Sequence, residues 1–600
     1  MKKIFGLIVL VLSLISCSSY SAFKSEDLNK KLENDPEACT GILENGMRYS
    51  IRTDKNPEKR VEFRLGIKGG SLIEKEDEQG AAHFIEHMAF NGTEHFSQQE
   101  LFQFFHKNGV QFGPGLNAFT SHTETVYRFS LPADDQEVID KGFLLLRDWA
   151  MGIRFEKQEV ENEKNIILEE LRAKNLSNNK IISHLFPYIY GPLYLQRLPI
   201  GYQDDIGKIT DETLKSAYSR WYQPGHMSVA IVGDVDMDTI ESGIKSTFSQ
   251  LKNAQDLPDL RNFEIPEFKT IQYLTVKDRD LMESSIRVYQ HLKTDSRWEK
   301  ESDFRQYLIE QLHIAVFKNR FMDKSNQDQS FHQINYFPEF LTDHRRVLCL
   351  EAKIKEDSFK QCYKDIFTEY ERLLRFGVSE SEILEAGNLI LHDAETRCIN
   401  QGSQKSETLA NMDITQSLKQ LIQLSPESYK KLCQKYLPTI KKEDLNNFFN
   451  QFDLSNRVVV SIENEEQLQY LPTREEIVKM NAEIRSGSVE PYVPSQIKST
   501  DTSNASASGR IVKKTHHEKI DVTVLDLSNG ARVILKPAKS QPNDIRFRAY
   551  SPGGLSLLDP EQKALRELAD PVFQNSGIGD YTKQALYRIL KHELSNKLGA

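Results

Sequence analysis

The chain has 600 residues, 39% of them hydrophobic and 27% charged. It is too long for a single hydrophobic core, so several domains are expected. The net charge of −10 and a pI near 5.9 argue against a nucleic-acid binder, whose footprint is a basic face.

The N-terminus differs from the rest. Met1-Lys2-Lys3 precedes an apolar run, IFGLIVLVLSLIS, with the layout of a secretory signal, which we assign to residues 1–22. The run ends in Leu14-Ile15-Ser16-Cys17, which resembles a bacterial lipobox in which Cys17 becomes the lipidated N-terminus; a cut near SSYSA is the alternative. Either route sends the mature chain out of the cytoplasm, to the periplasm or cell envelope, with the membrane engaged only through a lipid anchor. No later stretch reaches the roughly eighteen apolar residues that a spanning helix needs.

From residue 40 the elements alternate in type. CTGILENGMRYSIRTD reads as a hairpin turning at Asn45-Gly46, and VEFRLGIKGG (61–70) as a half-buried strand. Residues 80–92 form a helix. SQQELFQFFHKNG (97–109) is a second, capped by Ser97 and stopped by Gly109. TETVYRFSLP (123–132) is a strand, and 135–152 and 157–175 have helical periodicity. HMSVAIVGDVD (226–236) is a buried strand with Asp234 in its turn, followed by a helix at 237–251. This mixture predicts an α+β domain over 40–255, mainly an antiparallel sheet packed with helices.

A second unit, 263–480, opens with a strand, continues in long helices and closes with RVVVSIE (457–463). Its order parallels the first unit, so tandem repeated domains are expected. Residues 484–518 are rich in Ser, Thr, Pro and Gly and read as a linker. Beyond it, LDLSNGARVILKPAKSQPNDIRFRAYSPGGLSLLD echoes GILENGMRYSIRTDKNPEKRVEFRLGIKGGSLIEK, so 519–600 reads as the truncated start of a third repeat. Where the first copy has EDEQGAAHFIEHMAF, the third has DPEQKALRELADPVF. The helical pattern survives without histidines, so the fold does not require them. Six cysteines, at 17, 39, 349, 362, 398 and 433, form no CxxC pair. The last four are placed to pair in an oxidising compartment or to stay as buried thiols.

The stretch GAAHFIEHMAFNG carries the chemistry. Residues four apart share a helix face, so His83 and His87 present two imidazoles to one point, with Glu86 beside it. A catalytic Zn²⁺ takes three protein ligands and leaves one position open, so this pattern lacks one ligand. His95 and His122 read as solvated loop histidines, and His516-His517 as exposed.

HxxEH is the inverzincin signature, and this chain resembles the pitrilysin, insulin-degrading enzyme and mitochondrial processing peptidase family. The resemblance is carried by GGSLIEKEDEQGAAHFIEHMAFNGT, LNAFTSHTETVY, ENEKNIILEEL, RLPIG (197–201) and YQPGHMSVAIVGDVD, and looks greatest to bacterial exported zinc proteases of that family. It implies a clamshell half of α+β domains, one Zn²⁺ per chain held by His83, His87 and Glu170, Glu86 as general base, and Glu163 as a carboxylate behind the ligands. On spacing alone Glu169 competes with Glu170. The 83 positions from His87 to Glu170 exceed the family's usual separation, and the excess fits the stretch 109–116. The resemblance also implies an edge strand at Asn117 and Ala118 that pairs with an extended peptide or unfolded polypeptide. The family's later Arg–Tyr pair finds no match in 263–480, where Arg320 fits a packing helix. The alternative is therefore a catalytically weak or silent peptide-binding member, completed by a C-terminal half or a partner subunit.

Overall fold

The computed structural model describes residues 28–174, 178–253, 265–277, 283–293, 298–324, 330–342, 345–355, 358–452, 455–464, 471–493, 509–538 and 545–553, with isolated positions 557, 559, 572 and 576. The signal at 1–22, with Cys17, lies outside them. No helix among the described residues is long and apolar enough to cross a membrane.

The first sheet contains β1 (Ala38–Ile42), β2 (Arg48–Thr53), β3 (Arg60–Ile67), β4 (Leu116–Thr120), β5 (Thr125–Pro132) and β6 (Met227–Gly233), in the order β1-β2-β6-β3-β5-β4. All pairs are antiparallel except β2 with β6. The Asn45-Gly46 turn joins β1 to β2, with Gly46 at φ +86°, a conformation that favours glycine. One face of β3 and β5 buries Phe63, Leu65, Tyr127 and Phe129. Onto it pack α1 (Ala81–Met88), α2 (Gln98–Lys107), α3 (Gln136–Met151) and α4 (Lys157–Lys174), then α5 (Asn178–Ile189), α6 (Asp211–Trp221) and α7 (Met237–Phe248) complete the helices of this unit used below. Ser97 caps α2 with a reciprocal bond to Glu100.

The second sheet contains β7 (Gln272–Lys277), β8 (Ser285–Lys293), β9 (Phe331–Thr342), β10 (Arg345–Ile354) and β11 (Arg457–Glu463), ordered β7-β11-β8-β10-β9. Its one parallel pair is β7 with β11. The connectivity therefore matches the first sheet from β2 onward, strand for strand. Its helices include α8 (Glu301–Lys324), α9 (Phe359–Phe376), α10 (Glu380–Ile399), α11 (Ser406–Lys419), α12 (Pro426–Tyr436), α13 (Lys442–Asn450) and α14 (Arg474–Ser486). The architecture is α+β, sheets packed with helices, as the sequence predicts.

The two units exchange helices. From the second, α11 lies on the outer face of the first sheet, with Ile414 and Leu418 against Val126 and Ala230. A side chain at Gly66 would collide with Leu418. Asp413 of α11 accepts from Ser50 Oγ at 3.1 Å and lies 3.5 Å from Arg52 Nε, whose guanidinium also reaches Asp35 at 2.8 Å. From the first unit, Leu185 and Ile189 of α5 pack on Val276, Val347, Val458 and Ile462 of the second sheet. The segment that follows α4 is thus anchored by the other unit.

A third, small sheet holds β12 (Ile511–His517), β13 (Val522–Leu527) and β14 (Arg532–Leu535), with a turn at Asn529-Gly530 between the last two. The span 484–518 is not linker throughout. α14 runs to Ser486, Val489 is buried, Arg372 Nε donates to the Glu490 carbonyl, and the Tyr492 ring stacks on the Arg320 guanidinium. At its other end the span forms β12, which the polar composition masks. Residues 494–508 lie outside the described set. Cys39, Cys349, Cys362, Cys398 and Cys433 are free thiols.

Candidate metal centre and active site

Helix α1 is fixed before any ligand is considered. Ala81, Ala82, Phe84, Ile85 and Met88 bury one side of it in the first core. It starts at Gly80, in the left-handed region at φ +89°, which offers no side-chain cap. The Glu74 carboxylate serves instead, accepting from Gly80 N at 3.0 Å and Ala82 N at 2.9 Å. Gly201 packs so closely on Gly80 that a Cβ there would sit 2.9 Å from the Gly80 Cα. The RLPIG and QGAAHF stretches therefore meet backbone to backbone.

On the opposite side of α1, His83 and His87 lie one turn apart with ring centroids 4.6 Å from each other. Glu170, near the end of α4, turns toward both. Its Oε2 is 3.3 Å from His87 Nε2 and 3.7 Å from His83 Nε2. Glu169 points elsewhere, pairs with Arg172 and is largely exposed. The helical phase of α4 thus separates two neighbours that spacing leaves equivalent.

Glu163, two turns earlier on α4, stands behind His87. Its Oε1 is 2.7 Å from His87 Nδ1, and its other oxygen accepts from Asn91 Nδ2 at 2.6 Å. The contact sets the His87 tautomer, leaving Nε2 to face Glu170. His83 Nδ1 is buried without a hydrogen-bond partner among the described residues, so packing alone orients that ring. Glu86 is buried and accepts from Thr120 Oγ1, at the end of β4, at 2.5 Å. Lys174 contacts the outer oxygen of Glu170 at 2.5 Å.

Electrostatics follow from this packing. Burial pushes His83 down to about 3. Burial acts on His87 in the same sense, but hydrogen bonds to Glu163 and Glu170 outweigh it and hold His87 at about 9. The bond to His87 takes Glu170 down to about 2 against the pull of burial, with Lys174 helping. Burial raises Glu86, and Thr120 offsets part of that rise. Burial also acts on Glu163, yet its bonds to His87 and Asn91 bring it below the usual carboxylate range.

The donor set suits a zinc ion. The three candidate ligand atoms lie within 4.8 Å of one another. Zinc–ligand lengths of about 2.0–2.2 Å place neighbouring donors of a tetrahedral site roughly 3.4 Å apart, and the two His–Glu separations bracket that value. Glu86, Glu163 and Glu170 bring three carboxylates against the Lys174 ammonium and the His87 ring, an excess of negative charge that favours a cation.

Asn117 and Ala118 lie on β4, the edge strand of the first sheet, and the Ala118 amide donates to Asn117 Oδ1 at 2.8 Å. The Asp234 carboxylate accepts from the Lys59 amide in its turn. Arg320 is buried between Glu369 and Glu382, as a packing residue. His516 and His517 are exposed. His95 is an exposed loop residue, as expected, although it has a buried partner, whereas His122 is not solvated. His95 Nδ1 sits 2.8 Å from the fully buried Asp148 carboxylate, and His122 Nε2 is 3.0 Å from the Tyr194 carbonyl, where burial lowers its pKa. Local polarity concealed these long-range partners. Thr120, Asn91, Lys174 and Glu74 are site residues that motif reading passes over. The spacing of four from His87 to Asn91 and from Glu170 to Lys174 is the signal that would have found two of them.

The family model for Insulinase (Peptidase family M16) matches residues 50–190, and that for the Peptidase M16 inactive domain matches residues 208–389. The chain is 26% identical over 567 residues to the Probable zinc protease PqqL of Escherichia coli K12, covering 93% of this chain and 60% of that protein. A Zinc protease PQQL-like protein of Arabidopsis thaliana is 25% identical, over 94% of this chain and 57% of its own length. The chain thus spans about three fifths of the length of these relatives. The crystal structure of the periplasmic protease PqqL from Escherichia coli superposes with a TM-score of 0.73 at 25% identity, covering 93% of this chain and 62% of that one. This chain belongs to peptidase family M16, the insulinase/pitrilysin family.

Proposed function

We propose that the chain is the metal-bearing part of a zinc-dependent endopeptidase acting outside the cytoplasm on peptides or unfolded polypeptides held in extended form. The observation that carries this reading is the convergence of His83, His87 and Glu170 on one point, with the buried carboxylate of Glu86 alongside. His83, His87 and Glu170 would hold one Zn²⁺ per chain. When bound, the ion supplies Lewis acidity and makes hydroxide available near neutral pH. Glu86 takes the proton of the attacking water and passes it to the leaving amine. Burial strengthens it as a base, and Thr120 aims it. Glu163 fixes the His87 ring through Nδ1.

The substrate is positioned by β4. Beyond the bridge that Phe112 makes to Leu116, its outer edge has no strand partner among the described residues, and an extended peptide added there is held by main-chain hydrogen bonds that do not depend on its sequence. Asn117 and Ala118 supply that edge. Because Thr120 closes the same strand and bonds Glu86, the peptide runs past the base. The periplasmic designation of the Escherichia coli neighbour and the N-terminal signal pattern support a location beyond the inner membrane, with Cys17 as a lipid anchor.

The test is cleavage of an unfolded polypeptide by the zinc-loaded chain, with and without a chelator. Turnover that the chelator abolishes and Zn²⁺ restores is expected. Zinc retained and peptide bound without turnover would instead mark a peptide-holding member of the fold that needs a further segment or subunit.

A further inference from the structure

Behind the edge strand, on the sheet face turned away from the metal cluster, lies a cavity of about 260 Å³. Alternation along the strands creates it. Phe63, Leu65, Tyr127 and Phe129 enter the core, so Arg60, Glu62, Arg64 and Arg128 point to the other face. There α11 of the second unit closes one side through Glu407, and the 109–116 stretch closes another. Its turns use Gly109 at φ +69° and Gly113 at φ +93°, with open space where a side chain would stand.

The charges in this cavity do not balance. Arg64 is fully buried and satisfied, donating to Glu62 at 3.0 Å and to Asn411 at 2.9 Å. Arg128 is a third exposed and reaches Glu407 only at 4.0 Å. Arg60 donates to Ser130 Oγ at 3.0 Å and to the Ser130 carbonyl at 3.2 Å, and has no carboxylate partner among the described residues. Three guanidinium groups thus face two carboxylates, and the surplus sits on the two arginines nearest solvent.

The cavity also stands in register with the edge. Asn117 of β4 lines it and pairs directly with Arg128 of β5. A strand added outside β4 would run about 10 Å from β5, two strand spacings away. Every second side chain of that strand would project onto the Asn117 face. A glutamate there and the long Arg128 side chain together span this distance over the shorter Asn117.

We propose that this cavity is a specificity subsite that takes the carboxylate side chain, Asp or Glu, of a polypeptide bound as an added strand along β4. The proposal rests on the peptide-strand reading above. Residues of the substrate on one face meet the metal centre, and an acidic residue on the other face pairs with Arg128, with Arg60 deeper in the cavity adding to its positive field. A neutral amide in its place leaves the surplus charge unpaired.

The test uses the zinc-loaded chain carrying Glu86→Gln, and extended, fluorescein-labelled peptides that differ only by Glu or Gln at a single position. Fluorescence anisotropy reads their affinities. At one or more positions of one parity, the Glu peptide binds roughly tenfold tighter than its Gln partner, the scale of one charge-assisted hydrogen bond. That ratio falls to about one when Arg60→Gln and Arg128→Gln are combined, and Arg128→Glu turns the preference toward a Lys peptide. A ratio near one in the unsubstituted pocket, or a ratio that survives the arginine replacements, overturns the subsite and leaves the peptidase reading standing. Binding of neither peptide by the Glu86→Gln chain overturns both.

Discussion

His87 Nδ1 lies 2.7 Å from Glu163 Oε1, and this contact turns the other ring nitrogen toward Glu170. Glu163 is buried behind His87, so its effect passes through the ring. Glu163→Gln weakens zinc binding by about 10–100-fold, the usual loss for a residue that orients a ligand. Competition with a fluorescent chelator measures it, and an unchanged affinity would refute the role.

Glu86 acts on the proton rather than on the metal. Glu86→Gln therefore keeps zinc at the level of the unsubstituted chain and lowers peptide turnover by about 10²–10⁴-fold, the range of general-base catalysis. His83→Ala loses both metal and activity. Metal content by mass spectrometry, paired with a cleavage assay, separates the two patterns. Residual turnover near the original rate in Glu86→Gln would remove Glu86 from the chemistry.

The exchanged helix α11 is a stability device. Asp413 is buried against Arg52 and Ser50, and removing one partner of a buried ion pair costs about 3–5 kcal/mol. Asp413→Ala lowers the urea midpoint accordingly and splits unfolding into two transitions as the units lose their coupling. A single unshifted transition would show that α11 does not join them.

The second unit carries a titration signature of its own. His313 is enclosed by Phe317, Phe448, Phe449 and Phe452, and burial takes its pKa down to about 3. In the unfolded chain the group titrates near 6.5. Between these values the unfolded state binds a proton that the folded state refuses, so stability falls as pH drops from about 6.5 toward 3. His313→Phe removes one proton from that slope, about 1.4 kcal/mol per pH unit. Urea titrations at pH 6, 5 and 4 measure it; an identical slope in the variant would contradict the assignment.

How much of this is legible in the sequence depends on range. Local signals are clear: the Asn45-Gly46 turn, the Ser97 cap and the continuous apolar run of β11 all fold as read. The pair His83 and His87 is visible from spacing alone, and Glu86 with it. The choice of Glu170 over Glu169 needs either a family resemblance or the phase of α4, because both stand within reach on a helical repeat. Contacts across hundreds of positions leave no local trace. Nothing near Asp413 announces Arg52, and nothing near His95 announces Asp148. β8, β9 and β10 carry strand-like stretches, SIRVYQHLK, FHQINYFPEFLT and RRVLCLEAKI, which the long helical runs on either side overshadow. The polar residues 487–492 look like linker, yet they lie along α9 because Arg372 and Arg375 capture their carbonyls.

Three side chains from two helices, His83, His87 and Glu170, converge on one candidate ion site. Anomalous diffraction at the zinc edge, from crystals of the purified chain beside its Glu170→Ala variant, tests this most directly. A single peak within coordinating distance of His83 Nε2, His87 Nε2 and Glu170 Oε2, weakened or lost in the variant, is the predicted result. A peak elsewhere, or one of undiminished height in Glu170→Ala, would contradict it.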